Sequence, residues 1–159
     1  MTDLQDNKAR RYAIKLLSYR GRSENELEER LREKGISESV IHKTIRYLRD
    51  AGLVDDVSLA ETLRREAFST KMYSQYAARR FLLQRGIPHD ITDTVLQGDR
   101  NDDLSNARRL ADKKLRILRN YPLMTAKRRL YYLLSRRGFS PEIIRTVCNE
   151  IQFQKEEKQ

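Results

Sequence analysis

The sequence predicts an all-α protein, an elongated tandem array of three three-helix units with helix-turn-helix-like corners. Two observations carry this expectation. Gly35, Gly86 and Gly138 stand 51 and 52 residues apart, and apolar residues recur at matching offsets around each. Those offsets have helical spacing, and no stretch reads as a convincing strand.

The register is explicit. Four positions before the glycines stand Leu31, Leu82 and Leu134, and eight before stand Leu27, Ala78 and Leu130. Steps of four put these residues on one helix face. One position after come Ile36, Ile87 and Phe139. Five after come Val40, Ile91 and Ile143, and ten after come Ile45, Leu96 and Cys148. The glycine suits the left-handed position that ends a helix. Lys34, Arg85 and Arg137 then lie in a last turn, where a cation complements the helix dipole. Ser37 and Ser140 are N-cap candidates for the following helix, Pro141 fits its first position, and Pro88 sits near the start of its helix.

A further helix precedes each corner. The first is expected over roughly 8–20, with Ala9, Ala13, Leu16 and Leu17 on one side. The tract GRSENEL then opens the second helix, with Ser23 and Glu26 in capping-box spacing. In the second unit the leading helix follows Asp55-Asp56 and uses Leu59, Ala60 and Leu63. In the third it follows Asp102-Asp103 and uses Leu104, Ala107, Ala111, Leu115 and Leu118. The distance from the leading-helix alanine to the corner glycine grows from 22 to 26 to 31 residues, so this helix is expected to lengthen along the chain. The expected domains are 1–52, 53–98 and 99–159, with junctions at Gly52 and Gly98 and a frayed polar tail, QKEEKQ. Units of this size are marginal alone, so neighbours are expected to stack.

Composition narrows the function. The chain has 33 Lys and Arg against 23 Asp and Glu, a net charge of +10 that favours polyanions or acidic protein surfaces. The excess is concentrated in residues 99–159. No apolar run is long enough to span a membrane. The N-terminus lacks a signal-peptide apolar region, and one cysteine cannot form an internal disulfide. The expectation is a cytoplasmic monomer without cofactor or membrane contact.

Catalytic constellations are absent from the pattern. Each aspartate pair stands at a helix start, where capping accounts for it. His42 and His89 have no Cys or His partner at metal-ligand spacing. Cys148 replaces Ile45 and Leu96 of the other units, so a small apolar role is expected. No phosphate-binding glycine loop or nucleophile elbow occurs. The chain is therefore expected not to be an enzyme.

The basic tract is the feature left over. Arg108, Arg109, Lys113, Lys114, Arg116, Arg119, Lys127, Arg128, Arg129, Arg136 and Arg137 stand between 108 and 137 against one acid, Asp112. Residues 109, 113 and 116 fall away from the apolar side of their helix and form a candidate cationic stripe. Tyr121, Tyr131 and Tyr132 lie in or beside it. The excess of base over acid marks a polyanion or acidic-protein contact. A smaller candidate in the second unit combines Tyr73, Tyr76, Arg79, Arg80 and Arg85, with packing of Tyr76 on the leading helix as the alternative.

The tract LLSYRGRSENELEERLREKG, then AGLVDD and FLLQRGI, resembles the RecX family of bacterial regulators. The matching residues are Arg20, Arg22, Ser23, Glu26, Leu27, Leu31, Lys34, Gly35, the 52–56 segment, Leu59 and Ala60. Relatives often carry glycine where this chain has Met72-Tyr73-Ser74, and Phe-Ala in place of Leu59-Ala60. The resemblance implies a non-enzymatic modulator that lies in the groove of the RecA–DNA filament. It would depress ATP hydrolysis and strand exchange, and block filament growth or promote disassembly. The implied partners are the RecA filament and single- or double-stranded DNA, the latter held weakly through its backbone. The alternative is an autonomous DNA-binding helix-turn-helix protein. The third helices, SESVIHKTIRYL and SPEIIRTVCNEI, lack a clustered set of base-reading side chains.

Overall fold

The computed structural model describes residues 2–97 and 102–156, with side chains within 3–97 and 102–151. Nine α-helices occur among the described residues, and no strand. They are α1 Thr2–Tyr19, α2 Glu24–Glu33, α3 Glu38–Asp50, α4 Asp56–Arg65, α5 Gln75–Gln84, α6 His89–Gln97, α7 Asp103–Leu118, α8 Leu123–Arg136 and α9 Pro141–Glu156. They form three three-helix repeats, α1–α3, α4–α6 and α7–α9. A π-helical turn, Glu66–Thr70, continues α4.

The corners form as the glycine register predicts. Gly35, Gly86 and Gly138 have φ of 80°, 76° and 87°. The next amide closes each corner: Ile36 N donates to Leu31 O at 3.1 Å, Ile87 N to Leu82 O at 3.1 Å and Phe139 N to Leu134 O at 3.2 Å. The glycine amide donates to the carbonyl three residues back, completing a Schellman end. The in-register leucines Leu27, Leu31, Leu82, Leu130 and Leu134 are all buried. Each contributes about 2 kcal/mol by leaving water.

Contacts divide the chain into two compact units. One comprises residues 1–63 with 81–95, the other 64–80 with 96–159. In the first unit α1, α2 and α3 pack on one another around Ala9, Ala13, Leu27, Leu31, Ile41 and Leu48. A second cluster there joins Ala60, Leu63, Leu82, Ile87 and Val95. In the second unit α7, α8 and α9 enclose Leu110, Leu130, Leu134, Ile144 and Val147.

Several local expectations are corrected. α1 begins at Thr2, not near residue 8, and Asp3 lies in its first turn, where the helix dipole favours an acid. The leading helices do not lengthen along the chain: α1 has 18 residues, α4 10 and α7 16. The extra spacing goes into the π-turn of the second repeat and, in the third, into the part of α7 that follows Ala107 and into α8, which has 14 residues where α2 and α5 have 10. Ser37 occupies the N-cap of α3 without capping it, and its hydroxyl pairs with that of Ser39 at 3.4 Å. α9 continues to Glu156, into the tail expected to fray. Gly98 and residues 157–159 lie outside the described residues.

The aspartate pairs divide their labour identically. Asp55 accepts from Val57 N and Ser58 N, and Asp102 from Leu104 N, so each first aspartate caps its own helix. Each second aspartate reaches back to the second helix of the preceding repeat. Asp56 Oδ1 accepts from Glu24 N at 3.0 Å, and Asp103 Oδ1 from Gln75 N at 2.9 Å. Among the described residues no group of three or more His, Cys, Asp or Glu is placed to hold a metal ion. No described helix is long and apolar enough to cross a membrane.

Candidate polyanion-binding surface

The third repeat turns its apolar stripe inward and leaves its cations outside. On α7, Ala107, Leu110, Ala111 and Leu118 are buried. Arg108, Arg109, Lys113 and Arg116 therefore face solvent, Arg119 follows the helix in the open, and Lys114 is half-buried. On α8, Ala126, Leu130 and Leu134 are buried. Arg128, Arg129 and Arg136 are exposed, while Lys127 and Arg137 are half-buried.

Not every cation is directed at solvent chemistry. Arg108 makes a two-pronged ion pair with Glu150 of α9, with Nη2 to Oε1 at 2.6 Å and Nε to Oε2 at 2.9 Å. The bond holds Arg108 above its ordinary pKa and Glu150 below its own. The Arg129 guanidinium lies 4.1 Å from the Tyr121 ring centroid, a cation–π contact. Arg137 donates to the carbonyl of Lys71 and sits 5.9 Å from the Tyr73 ring.

Two grooves flank α8. One, of about 410 Å³, lies against α9 and is lined by Met124, Lys127, Arg128, Tyr131, Tyr132, Pro141, Arg145, Cys148 and Asn149. The other, of about 340 Å³, lies against α7 and is lined by Lys114, Ile117, Leu118, Tyr121, Arg129, Tyr132, Leu133 and Arg136. Among the described residues neither lining contains an acid. Tyr131 and Tyr132 are 46% and 56% exposed and meet edge to face, with ring centroids 5.9 Å apart. The structure thus brings Lys127 and Arg128 into one groove and Lys114, Arg129 and Arg136 into the other. Arg145, Met124 and Ile117 join them without having been singled out in the sequence. Arg145 lies past the tract, between Glu142 and Glu150, where its local charge signal is cancelled.

Cys148 is half-buried in the first groove. Burial pushes its thiol pKa up, against the pull of Lys127, so thiolate is disfavoured.

The second-repeat candidates separate. Tyr76 is 65% exposed, and Arg80 sits 5.9 Å from its ring. Tyr73 is half-buried, with Lys71 and Arg137 each 5.9 Å from its centroid. Arg79 is half-buried. Arg85 is tied into the first unit: Nε donates to Glu26 Oε1 at 2.9 Å and Nη2 to Gly21 O at 2.9 Å. Burial pushes the Glu26 carboxyl up, but the hydrogen bonds and charges of Arg85 and Arg20 outweigh this and hold it below its ordinary value.

Comparison with known proteins agrees with this architecture. Residues 9–48 match the family model for the first three-helix domain of RecX, and residues 101–148 that for the third. A regulatory protein RecX from Chlorobium phaeobacteroides is 34% identical, over 95% of this chain and 98% of its own. One from Amycolatopsis mediterranei is 32% identical, over 90% and 82%. The crystal structure of RecX from Lactobacillus salivarius superposes with a TM-score of 0.72 at 25% identity, covering 96% of this chain and 99% of that one. Matched over most of its length by these relatives and, over its first and third repeats, by the family's own models, the chain belongs to the RecX family of regulatory proteins.

Proposed function

We propose that this chain regulates the RecA recombinase by binding the RecA–DNA filament in its groove, and that it acts by binding alone, with no catalytic step of its own. Its partners are the filament protein and the DNA phosphates within it, and it works as a cytoplasmic monomer. The observation that carries this reading is the cationic face of α7 and α8, a tract in which eleven Lys and Arg between 108 and 137 stand against one acid, Asp112. Exposed Arg109, Lys113, Arg116, Arg128 and Arg136 are placed there without buried ion-pair partners to justify them by stability. A face of this charge attracts the phosphate-rich polymer through release of condensed counterions. Regulation then requires that the chain bind one filament state better than another, because equal affinity for both shifts nothing.

The test is RecA ATPase activity on single-stranded DNA. Substoichiometric amounts of this chain are expected to lower the steady-state rate. An unchanged rate and unchanged strand exchange would remove the reading.

A further inference from the structure

The two grooves beside α8 share one wall, and that wall is aromatic. Tyr132 lines both grooves, and Tyr131 stands beside it with its ring turned by 85°. Tyrosines in the core of a three-helix bundle would be enclosed, yet these two are about half exposed and Met124, in the first turn of α8, is 76% exposed. Leaving this much apolar surface in water on one helix is costly unless something covers it.

What covers it must also suit the positive charge on both sides of the ridge. Lys127, Arg128 and Arg145 stand on the α9 side of the ridge, and Lys114, Arg129 and Arg136 on the α7 side. A double helix offers phosphates but keeps its base faces stacked away from the rings. An acidic peptide offers carboxylates, but it presents a flat ring only where its sequence happens to place an aromatic residue, not beside every charge. A single strand offers both, with phosphates for the two cationic flanks and bare base faces for the ring pair.

We propose that α8 is a stacking ridge for single-stranded nucleic acid, with Tyr131 and Tyr132 taking base faces and the flanking Lys and Arg side chains taking phosphates. This rests on the regulatory reading above and assigns the third repeat's α8 face to DNA, leaving other surfaces to the recombinase. It adds a base-directed component to a contact that charge alone would make purely backbone-directed.

The experiment uses the full chain and a fluorescein-labelled oligothymidylate, without recombinase, read by anisotropy at several salt concentrations. Tyr131→Ala with Tyr132→Ala is expected to weaken binding by about tenfold or more at each salt concentration, since one lost base stack has that size. The slope of log affinity against log salt should not change, because the phosphate contacts remain. Tyr131→Phe with Tyr132→Phe keeps the rings and should keep the affinity. Both pairs are exposed, and circular dichroism checks that helicity survives. Equal affinity of the alanine pair and the parent for oligothymidylate would overturn the proposal. So would an alanine pair that binds the oligonucleotide normally but no longer lowers ATPase, because α8 would then meet the recombinase and the regulatory reading alone would stand. Wild-type binding that depends on the rings, with no ATPase effect, would uphold the ridge and remove the regulatory reading.

Discussion

Gly86 rests on the hydroxyl of Ser23: a Cβ at position 86 would fall 2.4 Å from Ser23 Oγ and 3.1 Å from Asn25 Cβ. The same relation recurs between Gly138 and Ser74, where the Cβ would fall 2.7 Å from Ser74 Oγ and from Ala77 Cβ. In both cases the corner of one repeat seats on the capped start of the second helix of the repeat before it. Ser23 Oγ accepts from Glu26 N, and Ser74 Oγ accepts from Ala77 N. The glycine carbonyl is also taken: Asn25 Nδ2 donates to Gly86 O at 2.8 Å, and Ser74 Oγ to Gly138 O at 2.8 Å. The arginine before each glycine completes the joint. Arg85 donates to the carbonyl of Gly21, and Arg137 to that of Lys71.

This joint sorts the corner glycines. At Gly35 a Cβ would meet nothing within 4 Å, so Gly35→Ala carries only the cost of a left-handed alanine, about 1 kcal/mol. At Gly86 and Gly138 the clash is added to the same cost, and each substitution is expected to lose about 3 kcal/mol. Denaturant melts of the three variants give the ordering. Equal losses at all three positions would mean that the joint does not resist the added methyl.

Asp56 separates acceptor from charge. Burial raises its pKa above the ordinary value, against the opposing hydrogen bond from Glu24 N. A carboxyl raised on folding binds its proton more tightly in the native state. Its contribution is therefore fully present below the unfolded value and declines as pH rises through the folded one. Asp56→Asn keeps an oxygen for Glu24 N and removes the buried charge, so near pH 7 it is expected to be neutral or slightly stabilising. Asp56→Ala strands the amide and should cost about 1 kcal/mol. Chemical denaturation of both variants at pH 4 and pH 7 checks this, with the asparagine variant's advantage expected only at the higher pH.

Arg85 is a test of site against scaffold. It joins Glu26 and the Gly21 carbonyl, and its side chain is 20% exposed. Arg85→Gln is expected to cost about 2 kcal/mol of stability, the scale of a hydrogen-bonded charge, while DNA binding is retained. Glu26 has a depressed pKa, so the pair's contribution is present above the unfolded carboxylate range and is lost as pH falls through the folded value. The difference in stability between wild type and Arg85→Gln should therefore shrink on acidification. A loss of DNA binding without loss of stability would return Arg85 to the binding surface.

The cationic stripe is graded by its ion pairs. Arg109, Lys113 and Arg116 are exposed on α7, whereas Arg108 is paired to Glu150. Converting the three to Gln is expected to reduce the salt slope of single-strand binding by roughly two if each meets a phosphate. Arg108→Gln alone should change it by less, because Glu150 already neutralises that charge. Salt titrations of the two variants decide whether the stripe is a contact or a solvated face.

The apolar half of the design was legible in the sequence because it repeats locally. Leu31, Leu82 and Leu134 share one offset from their glycines, and the capping box of Ser23 and Glu26 spans only four residues. The joint was not read, because its partners are far apart in the chain and polar. A signal did exist: Ser23 and Ser74 each precede their own corner glycine by twelve residues, while Ala126 holds that offset in the third repeat. The Arg108–Glu150 pair spans 42 residues and has no counterpart in the other repeats to reveal it. Met72 illustrates a different limit. Its φ of 51° is left-handed, a conformation that favours glycine, and only its packing against the third-repeat core makes the choice intelligible.

The function proposed above has this chain occupy the RecA–DNA filament. Electron microscopy of RecA filaments on single-stranded DNA, with and without equimolar protein, tests it directly. Additional density following the filament groove is expected. Filaments of unchanged length with an empty groove would contradict the account.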